Sequence, residues 1–128
     1  GHGAISLALK YPGKYQSASA FCPICAPTSC PWGKKAFSAY LGADETLWKQ
    51  YDSCELIRRG AAQIPLLVDQ GAADPFLEEQ LRPQLLLAAC EEAGFPLTYR
   101  EHMDYDHSYF FIASFIEEHL RFHAKYLA

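Results

Sequence analysis

Two side chains in this sequence have the types and the placing for proton-transfer chemistry. His107 lies in Tyr105-Asp106-His107-Ser108-Tyr109-Phe110-Phe111, between a short strand-like run and the longest helical pattern in the chain. Asp74 lies earlier, in the turn Gln70-Gly71-Ala72-Ala73-Asp74-Pro75, after the apolar run Ile64-Pro65-Leu66-Leu67-Val68. An imidazole can take a proton from a nucleophile and return it to a leaving group. A carboxylate behind it holds one tautomer and stabilises the charged ring. An acid after one strand and a histidine after the next follow the chain order Ser…Asp…His of one class of hydrolytic triad. Each residue also has a plainer use, since Asp74 before a Pro can cap a helix and His107 can cap the one that follows.

The surrounding elements would aim both groups at one edge of a sheet. Ile64 to Asp69 is a continuous apolar run with no alternation, as expected of a parallel strand covered on both faces. Ser17 to Phe21 and Phe95 to Glu101 read as two more strands, the former with small side chains that let helices press close. Helical patterns fill the intervals: Gly1 to Lys10, Lys34 to Leu41, Glu45 to Tyr51 behind a capping Asp44, and Cys54 to Arg59 behind Asp52 with Glu55 at capping-box spacing. A further helix runs from Pro83 to Ala93, with Gly94 at its end. The last runs from Ser108 to Tyr126, with Ile112, Phe115, Ile116 and Leu120 as its apolar stripe and Glu117, Glu118, Arg121 and Lys125 toward water. Cys22 to Gly33, with three prolines, reads as an irregular loop. Helices alternating with strands imply an α/β fold with a mainly parallel sheet and flanking helices. Three strands are few for such a sheet.

Composition narrows the function classes. The chain has 128 residues, half of them hydrophobic and 14% aromatic, enough for a packed core and suited to one domain or part of one. A net charge of -4 gives no footprint for nucleic acid. No apolar run approaches the length of a membrane span. Five cysteines are an odd count, favouring free thiols in a reducing, cytoplasmic compartment.

Four segments resemble the S-formylglutathione hydrolase (esterase D) family of α/β-hydrolases: Gly1-His2-Gly3-Ala4, Cys30-Pro31-Trp32-Gly33-Lys34-Lys35-Ala36-Phe37, Asp69-Gln70-Gly71 with Asp74, and Tyr105-Asp106-His107-Ser108-Tyr109-Phe110-Phe111-Ile112. The likeness runs on to His123-Ala124-Lys125-Tyr126-Leu127, so it covers the whole chain. It implies that Asp74 and His107 are the triad acid and base. It also implies that Gly1 to Ala4 end a nucleophile elbow written G-x-S-x-G-G-H-G-A, whose serine lies three residues before Gly1. Ser6, Ser17 and Ser19 lack the Gly-flanked turn of an elbow. Residues 1–128 are then expected to be one partial α/β-hydrolase domain, inactive alone, whose partner is the N-terminal half carrying the serine and the oxyanion-hole amides. An exposed sheet edge would favour association, possible homo-oligomers included.

The resemblance implies hydrolysis of the thioester S-formylglutathione to glutathione and formate, in formaldehyde detoxification, with neither cofactor nor metal. A general short-chain carboxylesterase of the same fold, or an inactive fragment, are the alternatives. Trp32 is a candidate wall for the small acyl group, and Lys34 and Lys35 are candidates for the carboxylates of glutathione. Cys22-Pro23-Ile24-Cys25 with Cys30 suggests zinc or redox chemistry, but it lacks a fourth ligand nearby and enters a Pro-rich loop instead of opening a helix. His119 and His123, four apart, read as a polar stripe, and His2 and His102 show no metal-ligand pairing.

Overall fold

In the computed structural model, which describes residues 1–127, three parallel strands form one sheet in the order β1-β2-β3. They are β1 (Ala18–Phe21), β2 (Leu66–Gly71) and β3 (Leu97–His102). Six helices surround them: α1 (His2–Lys10), α2 (Pro31–Leu41), α3 (Glu45–Trp48), α4 (Ser53–Arg58), α5 (Pro83–Ala93) and α6 (Tyr109–Ala124). Short 3-10 turns at Pro27–Ser29 and Lys49–Tyr51 and a π-helical turn at Leu77–Leu81 complete the crossovers. No helix among the described residues is long and apolar enough to cross a membrane.

The central strand β2 is buried along its whole length, as its unbroken apolar run requires. Ala18 pairs with Leu66 and Leu66 with Leu97, so the three carboxyl ends reach one edge together. Ile5, Leu9, Cys54, Ile57, Leu66, Val68, Leu86 and Ala89 make the main core between the sheet and α1, α4 and α5. Burying each large aliphatic side chain contributes about 1.5–3 kcal/mol. On the opposite side, Leu81, Phe111 and Cys22 form a smaller cluster beneath the loops at the carboxyl edge.

Element boundaries move where capping chemistry decides. Helix α2 starts at Pro31, not Lys34, because proline suits the first helical position and Cys30 before it is extended. Asp44 and Asp52 cap α3 and α4 as expected, accepting from Thr46 N and Glu55 N. Strand β2 sits two residues later than the apolar run, since Ile64 and Pro65 remain outside it. Ser108 caps α6 by accepting from Phe111 N.

The apolar stripe of α6 is a correction. Ile116 and Leu120 are exposed, and the face turned to the sheet is Phe111, Phe115 and His119. A polar residue occupies the inner face because Asp69, buried on β2, lies beneath it and needs a donor. His119 Nε2 is 2.6 Å from one Asp69 oxygen, and His119 Nδ1 is 2.8 Å from Ser19 Oγ. His123 contacts Ser17 and Ser19 at 2.7 and 2.8 Å. The expected polar stripe of His119 and His123 is therefore an anchor holding α6 to β1 and β2.

Candidate active site

The loops after β2 and β3 are joined by their backbones before any side chain is considered. Ala72 N donates to His102 O at 2.8 Å, and Ala73 N to Tyr105 O at 2.9 Å. Gly71 makes this approach possible: a Cβ there would lie 2.3 Å from Tyr105 O and 2.8 Å from Asp106 O. Any side chain at 71 would push the histidine loop away.

Across this junction His107 Nδ1 lies 2.8 Å from Asp74 Oδ2. The Asp74 carboxylate is fully enclosed, while the His107 side chain is 43% exposed. Asp74 is fixed by two further donors, Phe76 N to Oδ1 at 2.8 Å and Gln70 Nε2 to Oδ2 at 3.2 Å. A fixed carboxylate at Nδ1 favours the tautomer with its proton on that nitrogen and leaves the lone pair on Nε2. Among the described residues nothing bonds that nitrogen. Phe76 packs edge-on to the ring at 5.6 Å. A cavity of about 290 Å³ opens beside it, lined by Phe21, Cys22, His107, Ser108, Tyr109, Phe111 and Ile112. Its walls are mostly apolar.

The other candidates fall at different distances from this pair. Trp32 is partly exposed, and its ring lies 4.7 Å from Phe76, one aromatic layer removed from His107. Its backbone N–H donates to the buried Gln80 Oε1. Lys34 and Lys35 are exposed on α2 with no ion pair among the described residues. Ser17 and Ser19 are engaged with the α6 histidines, and Ser6 is buried within α1. All five cysteines are free and buried. The Cys22-x-x-Cys25 pair is split: Cys25 faces the main core, where its thiol reaches Leu81 O, and Cys22 joins the cluster around Phe111.

Behind the site lies a group that sequence reading missed. Asp69 accepts from Arg100 Nε at 2.7 Å and Nη2 at 2.6 Å, and it contacts His102 Nε2 at 2.9 Å as well as His119. Burial opposes its ionisation, but hydrogen bonds from His119, Arg100 and His102 together outweigh burial and hold the carboxyl well below the usual range. Arg100 also reaches Glu118 on α6. The signal was present: a charge inside an otherwise apolar, doubly covered strand demands partners, and Arg100 and His102 alternate onto one face of the neighbouring strand.

A family model described as "Putative esterase" matches residues 1–122. The chain belongs to this esterase family. It is 55% identical over 129 residues to an S-formylglutathione hydrolase of Rattus norvegicus, covering 99% of this chain and 46% of that protein. The S-formylglutathione hydrolase structure from Agrobacterium tumefaciens superposes with a TM-score of 0.95 at 49% identity, over all of this chain and 46% of that one. The Staphylococcus aureus S-formylglutathione hydrolase shares the fold, with a TM-score of 0.71 at 16% identity over 94% of this chain and 49% of that one. This esterase chain therefore spans about half the length of these relatives, and its architecture is the C-terminal portion of an α/β-hydrolase fold.

Proposed function

We propose that this chain is the C-terminal part of one α/β-hydrolase domain, a serine thioesterase that converts S-formylglutathione to glutathione and formate, with Asp74 and His107 as triad acid and base. The contact carrying the reading is the 2.8 Å pair of a clamped, enclosed carboxylate and an open imidazole. The rat and Agrobacterium relatives, both S-formylglutathione hydrolases, supply the substrate class. The serine and the oxyanion-hole amides come from sequence N-terminal to Gly1, as the coverage of the relatives supports.

In this mechanism His107 Nε2 takes the serine proton as Oγ attacks the formyl carbonyl. Asp74 keeps the second proton on Nδ1 and stabilises the imidazolium. Collapse of the tetrahedral adduct expels the glutathione sulfur, which receives the proton from Nε2 and leaves formyl-serine. Water then attacks with His107 again as base, the serine recovers its proton and formate departs. The apolar cavity beside His107 has room for the formyl group, Trp32 packs on Phe76 behind the imidazole, and Lys34 and Lys35 offer charge to the glutathione carboxylates. No cofactor or metal takes part in these steps. S-Formylglutathione holds a one-carbon unit already oxidised from the formaldehyde level to the formate level on the glutathione sulfur, so its release as formate fits a role in formaldehyde detoxification, and five free thiols support a reducing, cytoplasmic setting.

The test uses the protein expressed from its complete reading frame. It should hydrolyse S-formylglutathione with a higher kcat/KM than short nitrophenyl esters, and an organophosphonate should label a serine preceding Gly1. Faster ester turnover would make it a general carboxylesterase, and an adduct on a serine of this chain would overturn the assignment.

A further inference from the structure

Cys22 stands apart from the other cysteines. Strand β1 ends at Phe21 and the chain turns at Cys22, whose φ of 47° is a left-handed conformation uncommon for a side-chain-bearing residue. The turn brings the thiol to the carboxyl edge of the sheet beside the acid and the histidine. One donor atom from each of Cys22, Asp74 and His107 lies within 4.8 Å of the other two. The thiol contacts Asp106 O at 4.0 Å and lies beside the Gly71 backbone and the Asp74 carboxylate. Burial, and after it the Asp74 charge, pushes the thiol up to about 12, so it rests protonated and does not compete as a nucleophile.

Sulfur, oxygen and nitrogen donors converging from three loops, open to a cavity that admits water as a fourth ligand, make a set for a borderline-soft divalent ion. We propose that Cys22, Asp74 and His107 form a binding site for Zn²⁺, and that zinc held there inhibits hydrolysis. The inhibition rests on the function proposed above; the binding does not. Bonds of about 2.0–2.3 Å place tetrahedral donors roughly 3.3–3.8 Å apart, so the His107–Asp74 pair, now at 2.8 Å, must open by about 0.5 Å and the Cys22 sulfur, within 4.8 Å of both, must close by no more than about 1–1.5 Å. His107, on an exposed loop, is the ligand free to move, whereas Asp74 is fixed by Phe76 N and Gln70.

Proton balance decides the sign of the effect. Zinc takes the Nδ1 lone pair, so the proton shared with Asp74 leaves that nitrogen and the neutral ring carries its one proton on Nε2. The Cys22 thiol loses its proton to solvent, giving one proton released per ion bound. An Nε2 that bears hydrogen cannot accept a proton from serine. Occupancy therefore stops catalysis, and removing the ion restores it.

The experiment titrates Co²⁺, then Zn²⁺, into the chelator-stripped protein expressed from its complete reading frame. A thiolate-to-cobalt charge-transfer band with tetrahedral visible bands is expected, both bleached by Zn²⁺, together with loss of hydrolysis that a chelator reverses. Cys22→Ala and the near-isosteric Cys22→Ser should each abolish the charge-transfer band and weaken zinc binding at least about tenfold, while Cys25→Ala keeps both. Active protein that shows no thiolate band at saturating Co²⁺, or Cys22 variants inhibited by zinc like the parent, would overturn the site and leave the hydrolase reading standing. A band and zinc binding in a protein that hydrolyses neither thioester nor ester would support the site and remove the hydrolase reading.

Discussion

Gly71→Ala would test how closely the two loops must meet. The added Cβ would sit 2.3 Å from Tyr105 O, where real Cβ contacts essentially never fall below 3.0 Å. The obstructing atoms are backbone, and Gly71 is held in register opposite His102 on β3. The histidine loop must therefore retreat by roughly 0.7 Å or more, enough to stretch the 2.8 Å His107–Asp74 contact to the edge of hydrogen-bonding range. A misplacement of about 1 Å costs on the order of 100-fold in rate. Overpacking adds about 1–3 kcal/mol of destabilisation. Loss of thioester absorbance measures the first effect and a thermal melt the second. We expect kcat for S-formylglutathione to fall about 100-fold with KM changed by less than about threefold, because the loop positions the base and not the substrate. A variant retaining parental kcat would show that the close approach of Gly71 to Tyr105 does not set the His107 geometry.

Asp69→Asn should cost about 3 kcal/mol, the low end for breaking a buried pair because Arg100 is partly exposed. The folded carboxyl titrates below its ordinary range, so its stabilisation is fully present above about pH 4 and declines as the pH falls further. The melting gap between parent and variant should therefore be widest near neutrality and narrow in acid, and a gap independent of pH would contradict the assignment. Asp52→Ala strips Thr28 N, Thr28 Oγ1 and Glu55 N of their shared acceptor. Denaturant unfolding should show a loss of about 2–3 kcal/mol, since a helix cap and two loop bonds disappear together; a loss under about 0.5 kcal/mol would mean that water replaces all three.

The meeting of Asp74 and His107 was legible because Asp74 follows an apolar run and His107 a strand-like one, and in a parallel sheet strand ends share an edge. The α6 face was misread because hydropathy assigns histidine to solvent, whereas Asp69 beneath the helix draws His119 inward. Nothing in the spacing of Cys22 and Cys25 revealed that they serve different clusters. The left-handed turn at Cys22 separates them, and a cysteine does not advertise that conformation. The start of α2 was displaced for a simpler reason: Pro31, counted among loop prolines, is also a favourable first helical residue.

The central claim is that an enclosed carboxylate fixes the proton of His107 so that its outer nitrogen can serve a nucleophile. Asp74→Asn tests it most directly, measured as kcat on S-formylglutathione near neutral pH in the protein expressed from its complete reading frame. The asparagine keeps the shape but favours the wrong tautomer, so kcat should drop by about 10⁴ while KM stays within about threefold. A variant that turns over within about tenfold of the parent would contradict the account.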